Sequence, residues 1–260
     1  MGAGKGTIGN EGQMKAMVLA AGLGTRLRPL TDDRPKALVE IDGRSLLEIT
    51  LTRLKQFGVH DAIVNVHHFA EMVVNHLKAH HNFGMHIEVS REEVLLDTGG
   101  GLKKAAWFFL EDPAGLDQPF LLHNVDVISA IDFRQMLDFH TAHNALATLA
   151  VQDRETSRYL LFNDDAQLCG RRLGKDGKQE IVCAAANLQA LAFSGIHVIS
   201  PRLLRMMKDG IFSIIDTYLH LAASSERILS FNAERYYWRD LGKPNDLKQA
   251  AEDFRQKIVS

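Results

Sequence analysis

Met17-Val-Leu-Ala-Ala-Gly-Leu-Gly-Thr-Arg-Leu-Arg-Pro-Leu-Thr31, with Pro35-Lys36 a few residues later, reads as a buried strand running straight into a glycine-bearing, cationic loop. The apolar run Met17–Ala21 supplies the strand. Gly22 and Gly24 open backbone angles that a Cβ forbids and let peptide N–H groups approach an anion closely. Arg26 offers a planar fork to phosphate oxygens, and Lys36 a compact point charge. Together they make a polyphosphate clamp able to wrap a nucleoside triphosphate.

Two shorter motifs compete for the same glycines and fail on context. A dinucleotide fingerprint needs G-x-G-x-x-G after a strand, and Leu27 stands where its third glycine belongs. The opening run Gly2-Ala-Gly-Lys-Gly-Thr7 resembles the end of a P-loop. It lacks the preceding buried strand, and Ile8–Gln13 shows no helical period after it. Residues 1–13 are therefore expected to form a flexible polar tail.

At 260 residues and 46% hydrophobic, the chain can bury a full core. A formal net charge of -2 gives no basic footprint for nucleic acid. Positive charge gathers instead around Arg26, Arg28, Arg34 and Lys36, as suits a small anionic ligand. The two cysteines, Cys169 and Cys183, read as small semi-buried hydrophobes without a disulfide framework, which points to a reducing compartment. The run Ala16–Ala21 is too short for a signal segment or membrane span, so a cytoplasmic protein with no membrane partner is expected. No long extension follows Ser260, and a second activity is not expected.

Strand-length apolar runs alternate with helix-period segments. Ser45–Phe57 suits an amphipathic helix with Gly58 at its C-cap. Ala62–Val66, His86–Ser90 and the very apolar Pro119–His123 read as strands, with helices over Glu71–His81 and Gly101–Leu110. Repeated βα units imply a parallel sheet with helices on both faces. The second half changes character. Ala145–Gln152, Tyr159–Phe162, Gln167–Gly170 and Gln189–Ser200 read as strands of a mixed sheet, and Arg171–Gln179 as a surface turn. Helices are expected over Pro201–Lys208 and Ile214–Ala223, and a closing helix begins near Lys243-Pro244.

Leu19-Ala-Ala-Gly-x-Gly-Thr-Arg-Leu-x-Pro-Leu-Thr31 with Pro35-Lys36 closely resembles the signature of the sugar-1-phosphate nucleotidyltransferases, the nucleotide-sugar pyrophosphorylases. Three further segments carry the likeness: Leu96-Asp-Thr-Gly-Gly-Gly-Leu102, Asn124-Val-Asp126 with Arg239-Asp-Leu-Gly242, and Phe193-Ser-Gly-Ile-His-Val198. It spans roughly residues 14–250. The spelling Asp-Thr-Gly-Gly-Gly is most similar to the short bacterial enzymes that uridylylate N-acetylmuramic acid 1-phosphate and to related hexose- or heptose-1-phosphate transferases.

The resemblance implies an α/β fold: a Rossmann-like three-layer αβα arrangement around a mixed, mostly parallel sheet, with a small β-rich sugar-binding lobe. It implies a single domain over 14–260, whose 14–130 half binds nucleotide and whose 131–260 half binds sugar phosphate. Leu19, Ala20, Ala21, Gly22, Gly24, Thr25, Gly99 and Gly100 would line the nucleotide, with the glycine triplet presenting bare N–H groups at a helix start. Arg26, Lys36 and Asp126 would be catalytic. Asp126 and Asp240, each past the end of a strand, would hold Mg²⁺, which takes one or two protein oxygens plus phosphate and water. Asn124, Ser194 and Gly195 would meet the sugar.

Val125 departs from the pattern, standing where glycine is usual and narrowing the space beside the sugar. The cation for the sugar phosphate is left among Arg171, Arg172, Lys175 and Lys243. The implied substrates are a nucleoside triphosphate and a sugar 1-phosphate, with UTP the first expectation and GTP the second. Tyr236, Tyr237 and Trp238 raise a phosphocholine-type acceptor as an alternative, and a non-catalytic nucleotide-sugar-binding protein is another. Oligomeric state stays open, with a homodimer among the options.

Overall fold

The strand expected at the start of the clamp forms as β1 (Lys15–Leu19), and it is central in the main sheet. A computed structural model describes residues 14–111, 118–174 and 177–256. The expected tail at 1–13, with its P-loop-like run, lies outside the described residues, as does Lys175.

After β1 come a short hairpin, β2 (Glu40–Ile41) and β3 (Arg44–Ser45), then α1 (Leu46–Gln56), β4 (Asp61–Val66), α2 (Ala70–Ala79) and β5 (His86–Arg91). The chain continues through α3 (Asp97–Lys104), α4 (Trp107–Leu110), β6 (Phe120–Asn124), β7 (Val127–Ser129) and α5 (Phe133–Ala142). The second half holds β8 (Ala147–Gln152), β9 (Arg158–Phe162), β10 (Leu168–Leu173), β11 (Gln179–Ile181) and β12 (Gln189–Ile199). It ends with α6 (Arg202–Met206), α7 (Ile214–Ala223), β13 (Ile228–Asn232), β14 (Trp238–Asp240) and α8 (Pro244–Arg255).

The main sheet runs β11-β10-β9-β12-β6-β1-β4-β5, with β8 joining β12 to β13. β6, β1, β4 and β5 are mutually parallel, as the βα repeats require. β12 then pairs antiparallel to β6 and joins the second-half strands to the same sheet. Successive side chains of a strand point to opposite faces. Accordingly Ala16, Val18, Ala62, Val64 and Leu121 enter one core cluster with α1 and α8, whereas Met17, Ile63, Phe120 and Leu122 enter another with α3, α4, α6 and α7. Helices thus cover both faces of a mixed sheet, the three-layer arrangement expected.

Local chemistry explains the element ends. Ser45 caps α1 by accepting from the Glu48 N–H at 3.1 Å, and Gly58 follows the Phe57 C-cap at a φ of 86°. Pro244 occupies the first turn of α8. Three expectations need correction. The helix drawn over Gly101–Leu110 is two helices, and the glycine triplet lies inside the first. Arg171–Leu173 extends β10 rather than forming a turn, because Arg171 pairs with Glu180 of β11. Cys169 and Cys183 are joined in a disulfide with a Cα–Cα separation of 4.8 Å. The β10–β11 hairpin, which sets Gly170 opposite Ile181, carries the two thiols together across 14 residues of sequence.

Candidate active site

At the carboxyl end of β1 the backbone turns through the clamp loop. Leu19 O accepts from Val125 N–H at 3.1 Å, and Ala20 N–H donates to Asn65 Oδ1 at 2.7 Å. Ala20 and Ala21 are buried, whereas Gly22, Thr25 and Arg26 are exposed. Gly24 has a φ of 66°, and a Cβ there would stand 2.9 Å from Thr31 Cγ2 and 3.1 Å from Lys36 Cβ. Glycine is thus what lets the loop fold back upon Lys36. Gly24 O closes the loop by accepting from Leu27 N–H at 2.8 Å and Thr31 Oγ1 at 2.9 Å.

Lys36 is buried at 7% exposure, and its Nζ is ion-paired to the carboxylate of Asp126, 90 residues away in sequence. Asp126 sits in the turn between β6 and β7. β7 pairs with β14, Val127 opposite Asp240, and Leu241 N–H donates to Asp126 O at 2.8 Å. The two aspartates are therefore neighbours. Asp240 Oδ1 accepts from Gly242 N–H at 2.6 Å. A Cβ on Gly242 would fall 2.6 Å from Asp240 Oδ1 and 2.8 Å from Arg26 Nη2, so the Arg26 guanidinium lies beside the same turn. Arg26, Lys36, Asp126 and Asp240 converge at one end of the sheet, where open α/β sheets take ligands.

The expected sugar contacts meet one another too. Gly195 has a φ of 75°, and a Cβ would lie 2.8 Å from Asn124 Nδ2 and 3.0 Å from Val127 Cγ2. Ser194 is fully buried, and among the described residues its Oγ has no hydrogen-bond partner. Behind Asn124, His123 Nδ1 contacts the Asn124 carbonyl at 2.8 Å. Burial pushes the His123 imidazole down to about 4, which leaves the ring neutral; since a carbonyl oxygen only accepts, the one ring proton sits on Nδ1 and is donated to it.

Two parts of the expected picture are corrected. The N–H groups of Gly99 and Gly100 are not bare: both donate to Phe212 O, at 2.9 and 3.2 Å. A Cβ on Gly99 would stand 2.4 Å from the Phe212 ring, and one on Gly100 2.2 Å from Gly210 O. Gly99 and Gly100 allow segment 210–212 to press against α3, whereas a Cβ on Gly101 would meet Glu92 Oε1 at 2.7 Å and Asn65 Nδ2 at 2.8 Å. Val125 does not narrow a sugar site; it is 4% exposed and packs in the core with Leu27, Ala37 and Leu241.

Three of the four cations left open lie among the described residues. Arg171 bridges Glu180 at 2.7 Å and Asp216 at 2.6 Å. The Arg172 guanidinium lies 4.8 Å from the centre of the Tyr159 ring, and Lys243 is an exposed helix cap. The aromatic run is likewise occupied. Tyr237 donates to Asp253 Oδ2 at 2.5 Å, and the Arg154 guanidinium covers Trp238 at 3.8 Å from the ring centre.

Two polar residues had gone unnoticed. Buried Asn65 Nδ2 donates to Glu92 Oε1 at 2.6 Å, and Glu92 Oε2 accepts from Leu96 N–H at 2.9 Å. This network ties Ala20, where the clamp loop begins, to the entry of α3. An amide inside the apolar strand Ala62-Ile-Val-Asn-Val66 was the available signal. Arg154, just past β8, is the second.

The sequence profile described as Nucleotidyl transferase matches residues 15–171, which contain the clamp, the glycine triplet and Asp126. The chain belongs to the nucleotidyl transferase family. This nucleotidyltransferase is 36% identical over 246 residues to the N-acetylmuramate alpha-1-phosphate uridylyltransferase of Caulobacter vibrioides, covering 91% of this chain and 95% of that one. It is 33% identical over 90% of its length to the mannose-1-phosphate guanyltransferase of Candida albicans, of which it spans 62%. Among solved structures it superposes on HddC from Yersinia pseudotuberculosis, in complex with GMP-PN, with a TM-score of 0.71 at 21% identity, covering 93% of this chain and 99% of that one. A UDP-glucose pyrophosphorylase complexed with UDP-glucose gives a TM-score of 0.72 at 15% identity, covering 94% and 99%. At those identities the superpositions speak for the fold. Among the described residues no helix is long and apolar enough to cross a membrane.

Proposed function

We propose that this nucleotidyltransferase moves a nucleotidyl group from a nucleoside triphosphate to a sugar 1-phosphate, releasing pyrophosphate. One observation carries the proposal: the partly buried Lys36–Asp126 ion pair, in the turn next to β14, whose following turn holds the Arg26 guanidinium beside the Asp240 carboxylate. A lone aspartate past a strand end is ordinarily a cap. Two neighbouring ones facing two cations on a polyphosphate-type loop make a site for bringing anions together.

An oxygen of the sugar phosphate attacks the α-phosphorus in line. The new P–O bond forms as the bond to the bridging α–β oxygen breaks, and that electron pair leaves on pyrophosphate. The attacking group is already an anion, so no strong general base is required. The barrier is electrostatic, and catalysis comes from positioning and charge stabilisation. Arg26 holds the leaving β- and γ-phosphates, and Lys36 the α-phosphate. The backbone from Leu19 to Thr25 lines the nucleotide, while Asn124, Ser194 and Gly195 face the sugar.

Asp126 and Asp240 supply hard carboxylate oxygens, a donor set that fits Mg²⁺ completed by substrate phosphate and water. When bound, that ion neutralises charge on the reacting oxygens. UTP is the first donor to try, because the uridylyltransferase relative is matched over nearly its whole length and the guanyltransferase over only 62%. GTP with a mannose- or heptose-type acceptor is second.

The test is pyrophosphate release from four nucleoside triphosphates against a panel of sugar 1-phosphates with Mg²⁺, repeated on Asp126→Asn and Lys36→Ala. Losing one such electrostatic group typically costs about 2.7–4 kcal/mol, or ~10²–10³ in rate. Near-normal turnover in either folded variant removes the role assigned to that residue. Tight binding of nucleotide sugars with no turnover across the panel means a binding module instead.

A further inference from the structure

Beside the four cations that the sequence offered for the acceptor phosphate, the structure presents a fifth, Arg154. Arg154 is half-buried just beyond β8. Its guanidinium lies 3.8 Å from the Trp238 ring centre, and its Nη2 donates to Phe193 O at 2.8 Å. Trp238 is itself fixed, donating from Nε1 to Ser194 O at 2.7 Å. Trp238 and Asp240 are two residues apart on β14, so both project from one face of that strand. The guanidinium seated on Trp238 thus lies on the face of β14 from which Asp240 projects, next to the Phe193–Ser194 backbone.

Among the described residues, Arg154 Nε and Ser194 Oγ are both buried without a hydrogen-bond partner. Polar atoms left that way are uncommon and costly unless a ligand completes them. Stacking and the Phe193 carbonyl hold the guanidinium plane while using one of its five N–H groups.

We propose that Arg154 receives the 1-phosphate of the acceptor, with Trp238 as the seat that keeps the guanidinium aimed between Ser194 and Asp240. This rests on the proposed function, since it names the acceptor contact of that same site. A planar fork suits a phosphate, which accepts two parallel N–H bonds. The Trp238 seat keeps the cation from collapsing onto Asp240 when no acceptor is present.

The test is steady-state kinetics of wild type, Arg154→Lys and Arg154→Met with saturating nucleoside triphosphate and Mg²⁺. Two acceptors are compared, a sugar 1-phosphate with a neutral ring and one whose ring bears a carboxylate. Arg154→Met keeps an apolar stem on Trp238, and the acceptor KM should rise roughly 10–100-fold, as for loss of a charge-assisted hydrogen bond. The rise should be equal for both acceptors, with the triphosphate KM changed less than about threefold. Arg154→Lys should fall between, because an ammonium keeps the charge and loses the fork.

An unchanged acceptor KM in either folded variant overturns the assignment. So does a loss confined to the carboxylate-bearing sugar, which moves the contact to the ring. A triphosphate KM that rises along with the acceptor KM, with a lower unfolding midpoint, also overturns it, leaving Arg154 as a strut. A wild-type protein with no turnover on any pair defeats the proposed function itself, and Arg154's role with it.

Discussion

Replacing Gly100 with alanine separates two explanations of the glycine triplet. Gly100 lies within α3, where alanine is ordinarily better than glycine by about 1 kcal/mol. If the triplet existed to show bare N–H groups to a nucleotide, Gly100→Ala would keep or raise stability and weaken triphosphate binding. The structure demands the opposite. The added Cβ would stand 2.2 Å from Gly210 O and 3.0 Å from Leu96 Cβ. Ordinary carbon contacts need about 3.5 Å, so segment 210–212 must retreat by roughly 1 Å.

That retreat strains the bonds from Gly99 and Gly100 N–H to Phe212 O and from Phe212 N–H to Leu96 O. Each is worth about 1 kcal/mol net, and overpacking against fixed backbone costs about 1–3 kcal/mol more. Allowing for the better helix propensity of alanine, the net loss is about 2–4 kcal/mol. In a domain of this size that lowers the unfolding midpoint by roughly 5–15 °C. Thermal denaturation and the triphosphate KM are measured together. A midpoint that holds or rises while the triphosphate KM climbs tenfold refutes the packing account. Gly22→Ala is the control: nothing lies within 4 Å of its Cβ, so its stability should move by less than about 0.5 kcal/mol.

Three other outcomes are expected. Buried His140 contacts Thr148 Oγ1 at 3.0 Å and Ser200 Oγ at 2.9 Å, and burial pushes its imidazole down to about 4. The unfolded chain takes up that proton near pH 6.5 and the folded chain only near 4, so His140 costs stability as pH falls between those values, by about 1.4 kcal/mol per pH unit. Urea unfolding at pH 7.5 and 5 should show His140→Asn losing about 2 kcal/mol less than wild type; equal losses would contradict this. Reducing Cys169–Cys183, which spans 14 residues of sequence, should lower stability by roughly 3 kcal/mol, and peptide mapping without reductant should recover the linked pair. In a double-mutant cycle, Lys36→Met should be more destabilising than Lys36→Met with Asp126→Asn, because the single change strands a carboxylate; additive effects would argue against the pair.

The βα repeats were legible because a parallel strand and an amphipathic helix each advertise themselves within a dozen residues. The clamp was legible for a related reason: Gly24, Arg26 and Lys36 are close in sequence and each has a distinctive chemistry. What escaped depends on long-range placement. The separation of 45 positions between Ala20 and Asn65 hid the amide that fixes the loop. Nothing in the sequence around Arg154 marks it, and only β14 brings Trp238 beneath it. α5 and β13 were overlooked, the first because only Phe133, Met136 and His140 of its ten residues are buried. The glycine triplet was misjudged because a close backbone approach and an anion nest ask for the same residue. Only segment 210–212, more than 100 positions away, decides between them. The cysteines failed similarly: composition argued for free thiols, and hairpin register paired them.

The Lys36–Asp126 pair connects the fold to the proposed chemistry. A buried ammonium and a half-buried carboxylate would each be costly alone at the end of a hydrophobic sheet. In the unliganded chain they neutralise each other. Under the proposed function, a triphosphate arriving with a divalent cation would offer both a better partner: phosphate oxygens for Lys36 and the cation for Asp126. The exchange leaves no charge unmatched at its start or its end. Gly24 makes it possible by letting Thr31 and Lys36 pack against the loop backbone. Arg154 on Trp238 follows the same logic at the other end of the site, where an aromatic face rather than a carboxylate holds a cation ready. On this view the acceptor side is preorganised by stacking and the donor side by an ion pair that the substrate itself opens.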